Sequence, residues 1–194
     1  HIGCTSFYPS TNLGAFGDCS AMRTDDDERA IKLKMIASHR QSRQYQHDVV
    51  GCNSRLDAMQ AAVLDMKLKR LDEYNSARRK AARYYDTAFA GNDKITTPFC
   101  ARNNNHVFHQ YTITLNNSDR DGLHKHLADC CIPSMIYYPI PAHRQKMFSI
   151  FGGEQPDLKI TDWLTERVIS LPMHTELDEE QQAFIVSKVL EFVG

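Results

Sequence analysis

Three stretches carry residue types that could do chemistry. The first, "SFYPSTNLGAFGD" (residues 6–18), clusters small hydroxyl residues and glycines ahead of an extended run. Those types let backbone N–H groups and side-chain hydroxyls approach a phosphate, although Ser, Asn, Gly and Pro are equally the residues that turns need. The second, "VVGCNSRLDAMQAA" (residues 49–62), sets Asn53, Ser54 and Arg55 at the start of a helical pattern, where unsatisfied N–H groups, an amide and a guanidinium suit an anion. A capped helix with a surface arginine reads equally well. The third, "MIYYPIPAHRQ" (residues 135–145), places Tyr137, Tyr138 and His143 after an apolar run stiffened by two prolines, as in a ligand-lining loop or at the edge of a core.

Other chemistries find less support. His106-x-x-His109 and His124-x-His126 are the nearest histidine pairs, and neither has a carboxylate or thiolate partner at ligand spacing, so no metal site is expected. Nine histidines leave a Ser-His-Asp arrangement open, but no GxSxG elbow places its serine. Six cysteines, two of them adjacent at 130 and 131, lack CxxC spacing and are expected to be free, buried thiols. A net charge of -1 gives no broad electrostatic reason to bind nucleic acid, and the "KLKR" and "RRK" patches read as solvated helix faces. No apolar stretch approaches the ~18 residues of a membrane span. A soluble, cytoplasmic protein is expected. The 194-residue length and 42% hydrophobic content suit one sizeable core, and the start at His1 without methionine suggests processing, truncation or a piece of something longer.

The elements that must position these groups follow from periodicity and punctuation. "CSAMRT" reads as a short strand after a turn-rich opening, and "DDDE" places acids in the first turn of a helix from Asp25 to Ala37. A polar loop, "SHRQSRQYQHDVVGC", follows. Apolar residues at threes and fours then run from Arg55 to Phe89, with Asn53 or Ser54 as cap, as one long helix or two broken near "KRLDEY". Beyond it come a strand at "HQYTITL", a helix at "RDGLHKHLADCC", a strand at "IPSMIYYP", a loop through Gly152 and Gly153, a helix near "TDWLTERV", and an amphipathic helix from Asp178 to Phe192. The pattern is α/β: a small layer against a long helix, with no marked interdomain linker.

Taken together and in this order, "TSFYPSTNLGAFGD", "GCNSRLDAMQAAVLDMKLKRLDEYNSARR", "HVFHQYTI", "IPSMIYYPIPAH" and "LPMHTELDEEQ" resemble the DegT/DnrJ/EryC1/StrS family of nucleotide-sugar aminotransferases. The resemblance covers essentially the whole chain and implies the C-terminal half of a fold-type-I, aspartate aminotransferase-like enzyme that uses pyridoxal 5'-phosphate. It divides the chain into a remnant of the large cofactor-binding domain (1–52), a long connecting-helix region (53–90) and a small C-terminal α/β domain (91–194). It also implies a homodimer, glutamate as amino donor and a keto-sugar acceptor.

In the family the lysine that forms a Schiff base with the cofactor lies between the serine and the asparagine of the first motif. Here that position is Thr11, whose hydroxyl cannot form an imine. The glycine pair after "GD" is Cys19 and Ser20, and a third family glycine is Arg40. By resemblance Ser6 and Asn53 contact the cofactor phosphate, Asn53 from the partner subunit; Arg55 donates to the sugar substrate across the dimer; Tyr137, Tyr138 and His143 line the pocket. The aspartate that pairs with the pyridine nitrogen has no counterpart in the chain. The resemblance therefore implies a chain that does not itself transaminate. The alternatives are a non-catalytic ligand-binding or dimerisation module of aminotransferase origin, and a sugar dehydratase relative, which would carry histidine where Thr11 stands.

Overall fold

The computed structural model describes residues 1–38, 41–43, 46–47, 50–151 and 156–194. The chain forms two compact units, His1–Tyr74 and Asn75–Gly194, with the division inside a helix, where composition marks no boundary.

In the first unit, strands β1 (Gly3–Ser6) and β2 (Ser20–Arg23) pair antiparallel, from Gly3 opposite Arg23 to Ser6 opposite Ser20. Helix α1 (Asp27–Ala37) starts on the Asp26 side chain, which accepts from the Arg29 N–H at 3.0 Å, and Asp27 and Glu28 fill its first turn. This agrees with the "DDDE" reading. Strands β3 (Gln41–Arg43) and β4 (Gln46–His47) pair antiparallel within the stretch read as a polar loop.

The long helical pattern is two helices, α2 (Ala58–Leu68) and α3 (Leu71–Ala88), broken at Lys69 and Arg70 within "KRLDEY". Neither Asn53 nor Ser54 caps α2. Asp57 does, accepting from the Met59 and Gln60 N–H groups at 2.8 and 3.4 Å. Asn53 and Ser54 are engaged elsewhere: Asn53 bridges Ser38, and the Cys52 and Ser54 N–H groups donate to the Ile36 and Ala37 carbonyls at 2.8 and 2.9 Å. The extended segment before α2 thus closes the end of α1.

The second unit holds a three-stranded antiparallel sheet, ordered β5 (Ile95–Thr96), β6 (Tyr111–Leu115), β7 (Val168–Leu171). β6 alternates buried and half-buried residues, so Tyr111, Ile113 and Leu115 enter the core. Against them pack Tyr85 of α3 and Phe89 just beyond its end, Leu123 and Leu127 of α4 (Arg120–Asp129), and Ile185 and Val189 of α6 (Glu179–Val193). α6 opens with a capping box in which Asp178 and Gln181 exchange side-chain-to-backbone bonds at 2.8 and 3.2 Å. Helix α5 (Lys159–Thr165) precedes β7. The "IPSMIYYP" segment is not a strand: only Met135 bridges β7, at Ser170, and the chain turns away through prolines at 139 and 141, which cannot donate to a ladder. Gly152 and Gly153, read as a loop, lie outside the described residues.

All six cysteines are free, as expected, but none is buried: Cys4, Cys52, Cys100 and Cys131 are exposed, Cys19 and Cys130 half-buried. They fall on strand edges, loops and helix ends rather than on the inward faces of α3, β6 and α6. Among the described residues no helix is long and apolar enough to cross a membrane.

Candidate functional site

The glycine-rich stretch folds into a tight double turn at the end of β1. The Thr11 N–H donates to the Tyr8 carbonyl at 2.9 Å, the Ala15 N–H to Phe7 at 2.8 Å, and the Phe7 N–H to Cys19 at 2.8 Å. The chain doubles back so closely at Gly14 that a Cβ there would lie 2.4 Å from the Pro9 carbonyl oxygen. Helix α2 clasps this turn from the same unit. Gln60 accepts from the Phe16 N–H at 2.8 Å, and Lys67 donates to the Gly14 carbonyl at 2.7 Å while lying 5.0 Å above the Phe16 ring. Gly14→Ala is therefore expected to open the turn and cost about 1–3 kcal/mol. Limited proteolysis should find faster cleavage between residues 8 and 17, and an unchanged cleavage rate would contradict the geometry.

Thr11 sits on this turn, and its hydroxyl faces backbone. Oγ1 lies 2.7 Å from the Tyr8 carbonyl and 3.0 Å from that of Leu13, so its single proton is held by one or shared between them. The position that resemblance equates with an amine holds a turn-closing hydroxyl.

Beside the turn, an open cleft of about 390 Å³ is lined by Ser6, Tyr8, Asp18, Ser20, Ser54 and Arg55, among others. Ser6 Oγ accepts from the Tyr8 N–H at 3.2 Å, which leaves its own proton to donate. Strand register brings Ser20 opposite Ser6. Arg55, which lines the cleft, donates from Nε to Asn53 Oδ1 at 3.0 Å, so Asn53 helps to orient the guanidinium. Ser6, Asn53 and Arg55 are thus associated within one chain. Ser20 and Ser54 were missed as site residues by sequence reasoning; Ser54 stood inside the "NSR" cluster, but Ser20 is found only through the β1–β2 register.

Three serine hydroxyls, the Tyr8 phenol and a guanidinium suit the phosphate of a cofactor or nucleotide, with the Asp18 carboxylate as the one opposing charge. The same cleft offers no lysine for covalent capture. The residues fit the anionic end of pyridoxal 5'-phosphate and not its aldehyde.

Tyr137, Tyr138 and His143 lie in the second unit. The two tyrosine rings meet edge to face, centroids 5.7 Å apart, across a cis peptide bond, with Tyr138 largely exposed. His143 lies in a 3₁₀ turn, Ala142–Arg144, with its side chain only 10% exposed and Nε2 3.4 Å from Asp162 Oδ1, outside hydrogen-bond geometry. Arg144 takes the other Asp162 oxygen at 2.5 Å.

A second polar cluster went unread in the sequence. Arg78 Nη1 donates at 3.1 Å to each of the Phe108, His109 and Met173 carbonyls, joining the "HVFHQYTI" and "LPMHTE" segments. Burial lowers the Arg78 pKa, opposed by the Glu176 carboxylate. Burial likewise lowers that of His109, and the Arg78 charge lowers it further.

Residues 1–190 match the DegT/DnrJ/EryC1/StrS aminotransferase family. Over 188 residues the chain is 45% identical to UDP-N-acetyl-3-dehydro-alpha-D-glucosamine 3-aminotransferase of Acidithiobacillus ferrooxidans, covering 97% of this chain and 50% of that protein. It is 42% identical over 189 residues to a pleiotropic regulatory protein of Geobacillus stearothermophilus, covering 96% and 50% of the two. Among solved structures, DesV of S. venezuelae, crystallised in complex with a ketimine intermediate, superimposes with a TM-score of 0.91 at 34% identity, over 98% of this chain and 51% of that one. The chain spans about half the length of the curated relatives it matches. The match of sequence over nearly its whole length, and of mixed α/β fold with it, means that the chain belongs to the DegT/DnrJ/EryC1/StrS aminotransferase family.

Proposed function

We propose that the chain is the C-terminal half of a nucleotide-sugar aminotransferase, contributing the anion-binding side of the site and not the amine that captures the cofactor. The supporting observation is the cleft shared by Ser6 and Arg55 beside the turn that carries Thr11. Ser6, with Ser20 and Ser54, donates hydroxyl protons to a phosphate; Arg55, oriented by Asn53, adds charge-assisted bonds. Tyr137, Tyr138 and His143 serve the pocket that receives the sugar. In the intact family pyridoxal 5'-phosphate supplies the electron sink for moving an amino group. Glutamate is the amino donor, a keto-sugar linked to a nucleotide the acceptor, and a cytoplasmic homodimer the working form.

Thr11 cannot form an imine, because it carries a hydroxyl and no amine nitrogen, and that hydroxyl is engaged with the Tyr8 and Leu13 carbonyls. That commitment of the hydroxyl also favours a second reading, in which the chain binds an anionic ligand without turning it over. Calorimetric titration with pyridoxal 5'-phosphate tests the anion site common to both. Arg55→Met is expected to weaken binding by about tenfold to a hundredfold and Ser6→Ala by about fivefold. Equal affinity of Arg55→Met and the unaltered chain would remove the cleft from the account.

A further inference from the structure

Two of the six cysteines stand side by side where helix α4 ends. The Cys131 N–H donates to the Ala128 carbonyl at 2.9 Å and the Ile132 N–H to that of Leu127 at 2.8 Å, the pair of bonds that closes a helix through one residue in the left-handed conformation. Glycine fills that position without steric cost, but here it is Cys131, at φ 59°. Ile132 and Leu127 are both buried in the core, which fixes the turn from beneath. The Cys131 thiol is thus carried at a conformational cost.

Both thiols are free, Cys131 exposed and Cys130 half-buried against the core. Adjacent Cα atoms lie about 3.8 Å apart across a trans peptide, closer than a disulfide ordinarily spans. A single atom bonded to both sulfurs meets no such limit. Both thiols also border one strip of α6. Cys131 lines an open groove of about 200 Å³ with Pro133, Pro172, Phe184 and Ile185. Lys188, one turn beyond Phe184, holds its ammonium 6.0 Å from that ring's centroid and donates to Glu191 at 2.6 Å. Glu191 raises the Lys188 pKa and Cys130 raises it further, which puts the second thiol beside the same strip. Phe184 is 48% exposed, so the groove offers one aromatic wall to a ligand.

We propose that Cys130 and Cys131 form a two-point covalent site for trivalent organoarsenicals, with the organic substituent lying in the groove beside Phe184. Trivalent arsenic makes three bonds, and soft thiolates suit it as they suit soft metals. An organoarsenic dihydroxide exchanges both hydroxyls for the two sulfurs: two As–S bonds form, two As–O bonds break, and each departing hydroxide leaves as water with one thiol proton. Arsenic stays trivalent, so no oxidant or reductant is needed. The third bond carries carbon, and apolar cavities of this order hold a benzene ring. The site lies wholly in the second unit and does not depend on the cleft proposed for phosphate.

The test incubates the 194-residue chain with phenylarsine oxide, follows adducts by intact mass, and challenges them with thiols. One arsenical per chain should survive excess 2-mercaptoethanol, be released by 2,3-dimercaptopropanol, and shield Cys130 and Cys131 from iodoacetamide. Cys130→Ser and Cys131→Ser should each release it to the monothiol about 100-fold faster, because one attachment no longer holds the other in place. Phe184→Ala should speed release of the phenyl arsenical about tenfold and leave that of a methyl arsenical unchanged. Cys131→Gly keeps the helix-ending turn: it should lose retention while raising the melting temperature, read from Trp163 fluorescence, by about 4 °C. Release by the monothiol from the unaltered chain, retention in either serine variant, or alkylation of Cys130 and Cys131 in the adduct would each overturn the site. Equal release of the phenyl arsenical from Phe184→Ala and the unaltered chain would overturn the part given to the groove, and a lower melting temperature in Cys131→Gly the conformational cost assigned to the thiol.

Discussion

Arg78→Met is expected to destabilise the second unit by about 3 kcal/mol, lowering its melting temperature by roughly 10 °C. One guanidinium nitrogen serves three carbonyls from two separated segments, and methionine keeps the stem volume while removing all three bonds. Phe108 adds to the cost, since its φ of 43° is a left-handed conformation that a bulky residue holds only when its surroundings fix it. Fluorescence of Trp163, the chain's one tryptophan, follows unfolding of the unit that contains it. A second readout separates charge from packing. Because the Arg78 charge contributes to lowering the His109 pKa, the variant should let His109 titrate at higher pH, seen by NMR. A histidine depressed below its ordinary 6.5 contributes stability above that pH and loses it progressively as pH falls from 6.5 through its lowered folded value, and the variant should lose less. A melting temperature within 2 °C of the unaltered chain would refute the role given to Arg78.

Tyr85→Ala should cost still more, about 4 kcal/mol. Tyr85 is fully buried, lies 4.9 Å from the Tyr111 ring centroid, stacks on Phe89 at 6.1 Å, and donates its hydroxyl to the Pro172 carbonyl at 3.0 Å. Burial pushes its phenol well above the usual range, so the proton stays in place to donate. Tyr85→Phe isolates that bond and should cost about 1 kcal/mol. Denaturant unfolding of the two variants checks both; equal losses would mean that the hydroxyl, not the ring, anchors α3 to the end of β7.

The elements legible in the sequence are those whose ends carry their own chemistry. Acids at 25–28 announced α1, and an amphipathic pattern from Asp178 to Phe192 announced α6, whose Asp178–Gln181 capping box emerges from the structure. The pattern from Arg55 to Phe89 leaves open one long helix or two broken near "KRLDEY", and it offers Asn53 or Ser54 as cap because both are good capping types; Asp57 outcompetes them because pairing with the end of α1 draws their backbone away. β7 was missed since four residues give no period, and "IPSMIYYP" was read as a strand because β-branched and aromatic content does not reveal which edge of a sheet is already filled. For the site, Ser6 and Arg55 were legible as types, but their meeting in one cleft, Ser20 opposite Ser6, and the three carbonyls gathered by Arg78 all depend on long-range register. No spacing in the sequence encodes them.

We propose that the chain keeps the anion-binding groups of the site and lacks the amine that captures the cofactor. Titration with pyridoxal 5'-phosphate, followed by absorbance between 320 and 450 nm, tests it on the unaltered chain and Thr11→Lys side by side, each combined with the N-terminal half of the Acidithiobacillus ferrooxidans relative. The account predicts no protein-linked imine band at residue 11 for the unaltered chain and a borohydride-reducible band for Thr11→Lys, with the reduced adduct mapped to that residue. A band on the unaltered chain mapped to a single lysine, or a Thr11→Lys chain that binds the cofactor but forms no imine, would contradict it.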